Sequence, residues 1–229
     1  PDMGTASVVD RFRQIEPRVL IAADGYRYGG RLFDRREAVA DLVQALPTLE
    51  HTVMVSRLGA VEGGSEAAAP DWRGSDFGTS WADLLAEGRE LTFEQVPFDH
   101  PLWVLYSSGT TGLPKAIVHG HGGILLEQYK ALSLHLDLGE ADRFFWFTTS
   151  GWMMWNMLVS GLLVGSTIVL YDGSPAYPDM NALWRLAQEA GITYFGASAP
   201  YIQGCRKADI HPGRDFDLAV LKGIGSTGA

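Results

Sequence analysis

Apolar segments that alternate with helical patterns constrain the fold of this chain more than any other sequence feature. Runs rich in β-branched and aromatic residues predict strands at 18–22, 51–55, 102–106, through 117–118, and at 143–148, 167–171, 192–195 and 218–224. Helical patterns separate most of these runs, and a helical crossover joins parallel strands. The runs are almost continuously apolar, which is typical of strands covered on both faces. The sequence therefore predicts an α/β fold of parallel or mostly parallel sheets flanked by helices.

A change in composition divides the chain. Residues 34–46 predict a helix with Asp34 as N-cap and Glu37 three residues later, between the first two predicted strands. Residues 59–80 are rich in glycine, alanine, serine and aspartate and predict an exposed linker. The predicted organisation is a first α/β portion, a linker and a second α/β portion, over 1–58, 59–80 and 81–229.

Composition limits the classes of partner. The formal net charge is −9, and no cluster of lysine and arginine forms a basic surface, so a nucleic-acid partner is not expected. No run of eighteen apolar residues predicts a membrane span. Cys205 is the only cysteine and the N-terminus does not resemble a signal peptide, which favours a reducing cytoplasm. The chain starts without methionine and stops after a predicted strand and turn, so we expect a longer protein.

One loop has the composition of a phosphate-binding site. The residues Ser-Ser-Gly-Thr-Thr-Gly-Leu-Pro-Lys at 107–115, named here the glycine-rich loop, lie between two predicted strands. Its glycines let the backbone approach a ligand, its hydroxyl and N–H groups donate hydrogen bonds, and Lys115 adds a positive charge. Each hydrogen bond to a charged oxygen contributes about 1.5–3 kcal/mol, so several can hold a triphosphate.

Other interpretations of this loop fit less well. A Walker A loop requires glycine-lysine followed by serine or threonine, whereas Pro114 precedes Lys115 and Ala116 follows it. A nucleotide-dependent kinase of that class is therefore disfavoured. A flexible surface turn is the plain structural alternative, and a truncated, non-catalytic nucleotide-binding module also remains open.

The glycine-rich loop, followed by Ala-Ile-Val-His119, resembles the phosphate-binding signature of the adenylate-forming enzymes. The resemblance implies that the loop binds the β- and γ-phosphates of ATP, with Mg²⁺ sharing their charge. A carboxylate would then attack the α-phosphorus and expel pyrophosphate. His119 is expected to be a core histidine with a hydrogen-bond partner. The resemblance assigns to ATP the residues Ser107, Ser108, Gly109, Thr110, Thr111, Gly112 and Lys115, with Thr110 and Lys115 in catalysis.

Further segments narrow the resemblance. Those at 2–5, 9–17 and 24–31 resemble the acetyl- and acetoacetyl-CoA synthetase branch, and 149–156 is most similar to its acetoacetate-activating members. The implied reaction converts a short-chain acid to its CoA thioester through an acyl-adenylate, releasing AMP and pyrophosphate. Acetoacetate is the expected acid, with acetate or propionate as the alternative. The implied substrates and cofactors are ATP, Mg²⁺ and CoA.

The resemblance also assigns an acyl pocket and two nucleotide contacts. By position, the acyl pocket is lined by Trp152, Met153, Met154 and Thr227, although a helix core face is the structural alternative. Arg27 and Arg31 would contact CoA, and a solvated hairpin is the alternative. Gly228 and Ala229 would lie at the adenine, where Ala229 replaces a glutamate of acetyl-CoA synthetases.

Several motifs of the family have no counterpart in this sequence. They include the segment that binds Mg²⁺, the ribose-binding aspartate and the C-terminal domain with its catalytic lysine. No metal ligand is therefore assigned within this chain. The expected partner is the missing C-terminal domain of the same chain, and the 229 residues alone are expected to be inactive.

Overall fold

The computed structural model describes residues 3–58, 78–107 and 112–227. Contacts divide the chain into two compact units, residues 1–97 with 104–118, and residues 98–103 with 119–229. Of the predicted linker, 59–77 lies outside the described residues and 78–80 forms a short strand. The predicted division at 58 and 81 stays a prediction.

The first unit is built on a parallel βαβ arrangement, as the sequence predicted. Its sheet has the order β1-β4-β5, and β1 pairs with β4 in parallel from Val19–His51 to Ala23–Val55. Leu20, Val39 and Met54 form the buried core between this sheet and its helices. The elements are α1 (Thr5–Phe12), β1 (Val19–Ala23), β2 (Gly25–Tyr28), β3 (Arg31–Asp34), α2 (Arg36–Ala45), β4 (His51–Val55), β5 (Gly78–Ser80) and α3 (Trp81–Ala86).

The start of α2 differs from the prediction. Asp34 is the last residue of β3, where it pairs with Gly25, and Arg35 occupies the N-cap position instead. Its carboxylate instead binds the side chain of Arg36 and accepts the Arg36 backbone N–H at 2.9 Å. The helix begins at Arg36 with no side-chain N-cap.

The second unit is a four-stranded parallel sheet of order β11-β10-β8-β9. Helix α4 runs on into a π-helical turn at Ala131–His135, and α5 runs on into a 3₁₀ turn at Gly161–Val164. The elements are α4 (His121–Lys130), β8 (Arg143–Trp146), α5 (Met154–Ser160), β9 (Thr167–Val169), α6 (Ala182–Glu189), β10 (Tyr194–Ser198), α7 (Ala199–Lys207), α8 (Pro212–Asp215) and β11 (Gly223–Thr227).

Both faces of this sheet are covered. Successive residues of β8 point to opposite faces, and all of them beyond Arg143 are buried. Phe144 and Trp146 pack with Leu132, Met154 and Leu158, which lie on or next to α4 and α5. Phe145 joins a second core on the opposite face, formed with Leu183, Trp184, Phe195, Tyr201 and other residues of α6, β10 and α7. The predicted α/β fold with helices on both faces of a parallel sheet is therefore confirmed.

Strands β6 (Pro101–Ser107) and β7 (Lys115–Gly120) form a separate two-stranded sheet. Residues 104–118 of this segment belong to the first unit, and its two outer ends belong to the second. The glycine-rich loop thus connects two strands, as the sequence predicted, and it lies in the first unit.

Candidate functional site

Strand ends fix the two borders of the glycine-rich loop. Ser107 is the last residue of β6 and Lys115 is the first residue of β7. Gly112 adopts φ +100°, which favours glycine over any residue with a side chain. The residues between these borders, Ser108, Gly109, Thr110 and Thr111, lie outside the described residues, so their ATP contacts stay predictions.

The Lys115 side chain is exposed, and its ammonium group forms no hydrogen bond or ion pair with any described residue. No carboxylate of a described residue therefore competes with a ligand for this ammonium group. This environment suits a group that binds an anionic phosphate at the base of the loop.

Helix α1 contacts both borders of the loop. The Tyr106 hydroxyl donates a hydrogen bond to the Arg11 carbonyl oxygen at 2.6 Å, and the Gln14 side-chain amide donates to the Pro114 carbonyl oxygen at 3.0 Å. Burial raises the pKa of the Tyr106 hydroxyl, while the positive charge of Arg11 opposes that shift. Tyr106 therefore remains a protonated donor at neutral pH. Sequence analysis assigned no role to Gln14 or Arg11.

His119 has a hydrogen-bond partner, as the sequence predicted, but it is half-buried and does not lie in a core. The Trp103 indole N–H donates to its Nδ1 at 2.9 Å, so the bond joins β6 to β7. This bond requires an unprotonated Nδ1, which fixes the tautomer with the proton on Nε2.

The predicted acyl-pocket residues occupy three different environments in the second unit. Met154 is 5% exposed and packs with Trp146 and Leu158 in the core. Trp152 is half-buried against the same core, and Met153 is 48% exposed. Trp152 and Met153 therefore keep surface for a ligand, whereas Met154 contributes packing.

Thr227 lies at the edge of the sheet where a ligand site is expected. It ends β11 opposite Ser198, the last residue of β10, and it is exposed. Ligands of parallel α/β sheets bind at the carboxyl ends of the strands. The segment that follows β8 and contains Trp152 begins at this same edge.

Sequence analysis missed Trp146, which shapes this edge. A Cβ atom added at Gly196 would lie 2.1 Å from the indole ring of Trp146, and one at Gly225 would lie 2.7 Å from it. The indole therefore lies directly over the backbones of β10 and β11. Its buried Nε1–H has no hydrogen-bond partner in the described part of the chain. Paired glycines on adjacent strands were the available signal for a large ring above them.

Arg27 and Arg31 lie on the β2–β3 hairpin, on either side of its turn. Gly29 and Gly30 adopt φ +56° and +78°, which is typical of a two-residue hairpin turn. Both arginine side chains are exposed and have no hydrogen-bond or ion-pair partner among the described residues. The hairpin is therefore solvated, and the CoA contact stays a prediction.

The remaining predictions concern a metal site, the adenine contact and a membrane span. No group of three or more histidine, cysteine, aspartate or glutamate side chains in 3–58, 78–107 and 112–227 is placed to hold a metal ion. Gly228 and Ala229 lie outside the described residues. Among the helices that the structure describes, none is long and apolar enough to cross a membrane.

Comparison with known proteins identifies the family. The model of the AMP-binding enzymes matches residues 1–229, the whole length of the chain. The chain belongs to the AMP-binding enzyme family.

Named relatives in the AMP-binding family are longer than this chain. It is 45% identical to the acetoacetyl-coenzyme A synthetase of Rhizobium meliloti and 39% identical to the malonamoyl-CoA synthetase of Penicillium aethiopicum, covering all of this chain and 34% of each relative. The solved acetoacetyl-CoA synthetase of Streptomyces lividans is 56% identical, with a TM-score of 0.89, over 100% of this chain and 34% of that one. The chain thus spans about a third of the length of these relatives.

Proposed function

We propose that this chain is the nucleotide-binding portion of an ATP-dependent acid–thiol ligase. A short-chain carboxylate attacks the α-phosphorus of ATP, pyrophosphate leaves, and the acyl-adenylate transfers its acyl group to CoA with release of AMP. The observation that carries the proposal is the Lys115 ammonium at the border of the glycine-rich loop, which has no partner among the described residues, in a chain that matches the AMP-binding family over its whole length.

The glycine-rich loop binds the triphosphate. Its N–H and hydroxyl groups, including those of Ser107 and Thr110, donate to the phosphate oxygens, and the Lys115 ammonium stabilises the charge that grows on the departing pyrophosphate. Gly228 and Ala229 supply backbone contacts to the adenine. The described residues contain no cluster of metal ligands, so Mg²⁺ would be carried by the phosphates and by residues elsewhere in the protein.

The proposed acid has a carbonyl group at its third carbon. Two relatives are named for acetoacetyl-CoA and malonamoyl-CoA, and both acyl groups have a carbonyl at that position. Trp152, Met153 and Thr227 line the acyl pocket, with Met154 supporting it from the core. The half-buried Asn156 side chain has no hydrogen-bond partner among the described residues, which makes its amide the candidate donor to that carbonyl.

CoA binding and the second half-reaction need more than this chain. The exposed guanidinium groups of Arg27 and Arg31 would bind a phosphate of CoA, because planar guanidinium groups match phosphate geometry. Since the chain spans about a third of the length of its named relatives, the other residues of the reaction would lie elsewhere in the protein. We place the ligase in the cytoplasm, where ATP and CoA are available, and expect no acyl-CoA formation by the 229-residue chain alone.

Acid profiling of the complete ligase tests the proposal. Acetoacetate, malonamate, acetate, propionate and 3-hydroxybutyrate are compared at equal concentrations with ATP and CoA, and thioester and nucleotide products are measured. The proposal predicts AMP as product and the highest kcat/KM for the two acids with a 3-carbonyl group. A preference for acetate or propionate would contradict the proposed acid, and ADP as product would contradict the adenylation mechanism. ATP binding without any turnover would favour a non-catalytic module.

A further inference from the structure

We infer that the C-terminal end of α1 and the turn that follows it position the glycine-rich loop for ATP, through what we name the α1 clasp: the Arg11 carbonyl and the Gln14 amide. The inference rests on the proposed function, because it concerns the geometry of the loop that binds the phosphates. Tyr106 and Gln14 are positioning residues in this account. They act through the loop and do not touch the nucleotide.

The clasp contacts the loop at both of its borders. Tyr106, the residue before Ser107, donates its hydroxyl to the Arg11 carbonyl oxygen at 2.6 Å. Gln14 donates its amide to the carbonyl oxygen of Pro114, the residue before Lys115, at 3.0 Å. Two hydrogen bonds to the end of α1 and the turn that follows it therefore fix the separation of the two strand ends from which the loop emerges.

The hydrogen-bonding groups of the clasp are suited to this contact. A carbonyl oxygen has two lone pairs, and that of Arg11 accepts both the Gln14 backbone N–H at 3.2 Å and the Tyr106 hydroxyl. The second amide hydrogen of Gln14 is available for the Asp10 carbonyl oxygen at 2.8 Å, so the side chain bridges α1 and the loop. The Arg11 guanidinium donates to the Ser7 carbonyl oxygen within α1 at 2.7 Å.

Helix α1 itself is fixed to the body of the first unit. Phe12 packs against the core of Leu20, Val39 and Met54. Arg13 donates from Nε to the carbonyl oxygen of Ala45 at the end of α2, at 3.1 Å. The packing of α1 on the parallel βαβ core therefore sets where the loop borders lie.

A fixed loop binds a flexible triphosphate at lower entropic cost than a loose one. The clasp should therefore affect kcat/KM for ATP, because Lys115 and the N–H groups next to it contact the phosphates in the proposed function. It should leave KM for the acid unchanged, since the predicted acyl-pocket residues belong to the second unit.

The test uses the complete ligase and two substitutions that delete only the donors, Gln14→Leu and Tyr106→Phe. Loss of one such hydrogen bond corresponds to about a threefold to tenfold change in an equilibrium or rate constant. Each variant is expected to lose roughly that factor in kcat/KM for ATP, measured by acid-dependent pyrophosphate exchange, with KM for the acid unchanged within about twofold. Gln14→Lys retains a donor on a long side chain and is expected to recover most of the loss.

Matched controls make the same chemical change elsewhere. Gln203→Leu on α7 and Tyr129→Phe on α4 alter side chains whose amide and hydroxyl groups have no partner among the described residues. Both controls are expected to keep the wild-type kcat/KM for ATP. The fraction of active enzyme is measured for every variant by titration of the acyl-adenylate.

The outcomes separate the clasp from a general structural role and from the proposed function. Variants that lose active fraction or melting temperature while KM for ATP and kcat per active site stay at wild-type values would overturn the clasp. Calorimetric titration with ATP gives a second readout that does not need turnover. If the wild-type ligase binds ATP but exchanges no pyrophosphate, and Gln14→Leu weakens that binding threefold or more, the proposed function is wrong and the clasp stands. Equal ATP affinity of wild type and both variants would overturn the clasp alone.

Discussion

Lys222 donates a hydrogen bond from Nζ to Oδ1 of Asp142 at 2.8 Å, and the two residues immediately precede β11 and β8. Thr193, which precedes β10, donates its hydroxyl to the same Asp142 oxygen at 2.7 Å. One polar network therefore joins three neighbouring strands at their amino ends. The predicted acyl site lies at the opposite, carboxyl edge, so stability and substrate binding in this unit depend on different residues.

Substitution of Asp142 tests this network. Burial raises the pKa of the Asp142 carboxyl group, but hydrogen bonds from Lys222, Thr193 and the Gly139 N–H hold the pKa below its ordinary value. Removing a hydrogen-bonding partner of buried groups costs about 1–3 kcal/mol, and we expect Asp142→Asn to lower the free energy of unfolding by that amount at pH 7. Urea unfolding followed by tryptophan fluorescence measures it.

The pH dependence of this difference has a definite sign. A carboxyl group with a lowered folded pKa contributes stability above its unfolded pKa, and that contribution disappears as the pH falls through the folded pKa. The difference in the free energy of unfolding between wild type and Asp142→Asn should therefore be largest at pH 7 and should decrease below about pH 4. Asp41→Asn is the control, because that exposed side chain has no hydrogen bond or ion pair with any described residue. If this difference in the free energy of unfolding stayed constant down to pH 3, the role of the Asp142 charge would be contradicted.

Gly196→Ala tests the position of the Trp146 ring. The new methyl group would lie 2.1 Å from the indole, which forces the ring or the strand to move. Overpacking of this kind costs about 1–3 kcal/mol, and the displaced ring should also raise KM for the acid at this edge of the sheet. Gly213→Ala, whose methyl group would meet open space, is the control. Wild-type stability and KM in Gly196→Ala would show that Trp146 does not lie over β10.

Alanine substitutions of Met153 and Met154 distinguish an effect on the acyl pocket from an effect on the core. Met154→Ala removes a buried side chain and should lower the free energy of unfolding by about 2–5 kcal/mol. Met153→Ala should leave stability unchanged but alter the preference among acids, since one methylene of pocket wall changes discrimination by about 1–3 kcal/mol. Unfolding and kcat/KM for acetoacetate and propionate are measured on both variants. Equal effects of both substitutions on stability would contradict this assignment.

Local periodicity was enough to predict the sheets. The predicted strand 51–55 coincides with β4, and strands of almost continuous apolar residues in fact pair in parallel. The loop between β6 and β7 was also predicted, because its glycine and hydroxyl composition is local. The sequence did not distinguish the environments of Met153 and Met154: α5 begins at Met154, which is buried, whereas Met153 is exposed. Their place in an acyl pocket stays a prediction.

Long-range contacts were beyond sequence reasoning. Asp34 has the residue type of an N-cap, but its pairing with Gly25 in the hairpin overrides that preference. The clasp joins Arg11 to Tyr106 and Gln14 to Pro114, which are 95 and 100 residues apart. Neither pair has a local pattern, since a tyrosine hydroxyl and a helix-end carbonyl are common groups whose meeting only the tertiary fold determines.

Lys115→Ala gives the most direct test of triphosphate binding by the glycine-rich loop. Acid-dependent pyrophosphate exchange is measured in the complete ligase, with Lys207→Ala as the control, because Lys207 is an exposed lysine without a side-chain partner among the described residues. Removing one preorganised group that stabilises transition-state charge lowers kcat by about 10²–10³-fold, and we predict a loss of this size for Lys115→Ala and none for the control. Exchange by Lys115→Ala within twofold of wild type would contradict the account.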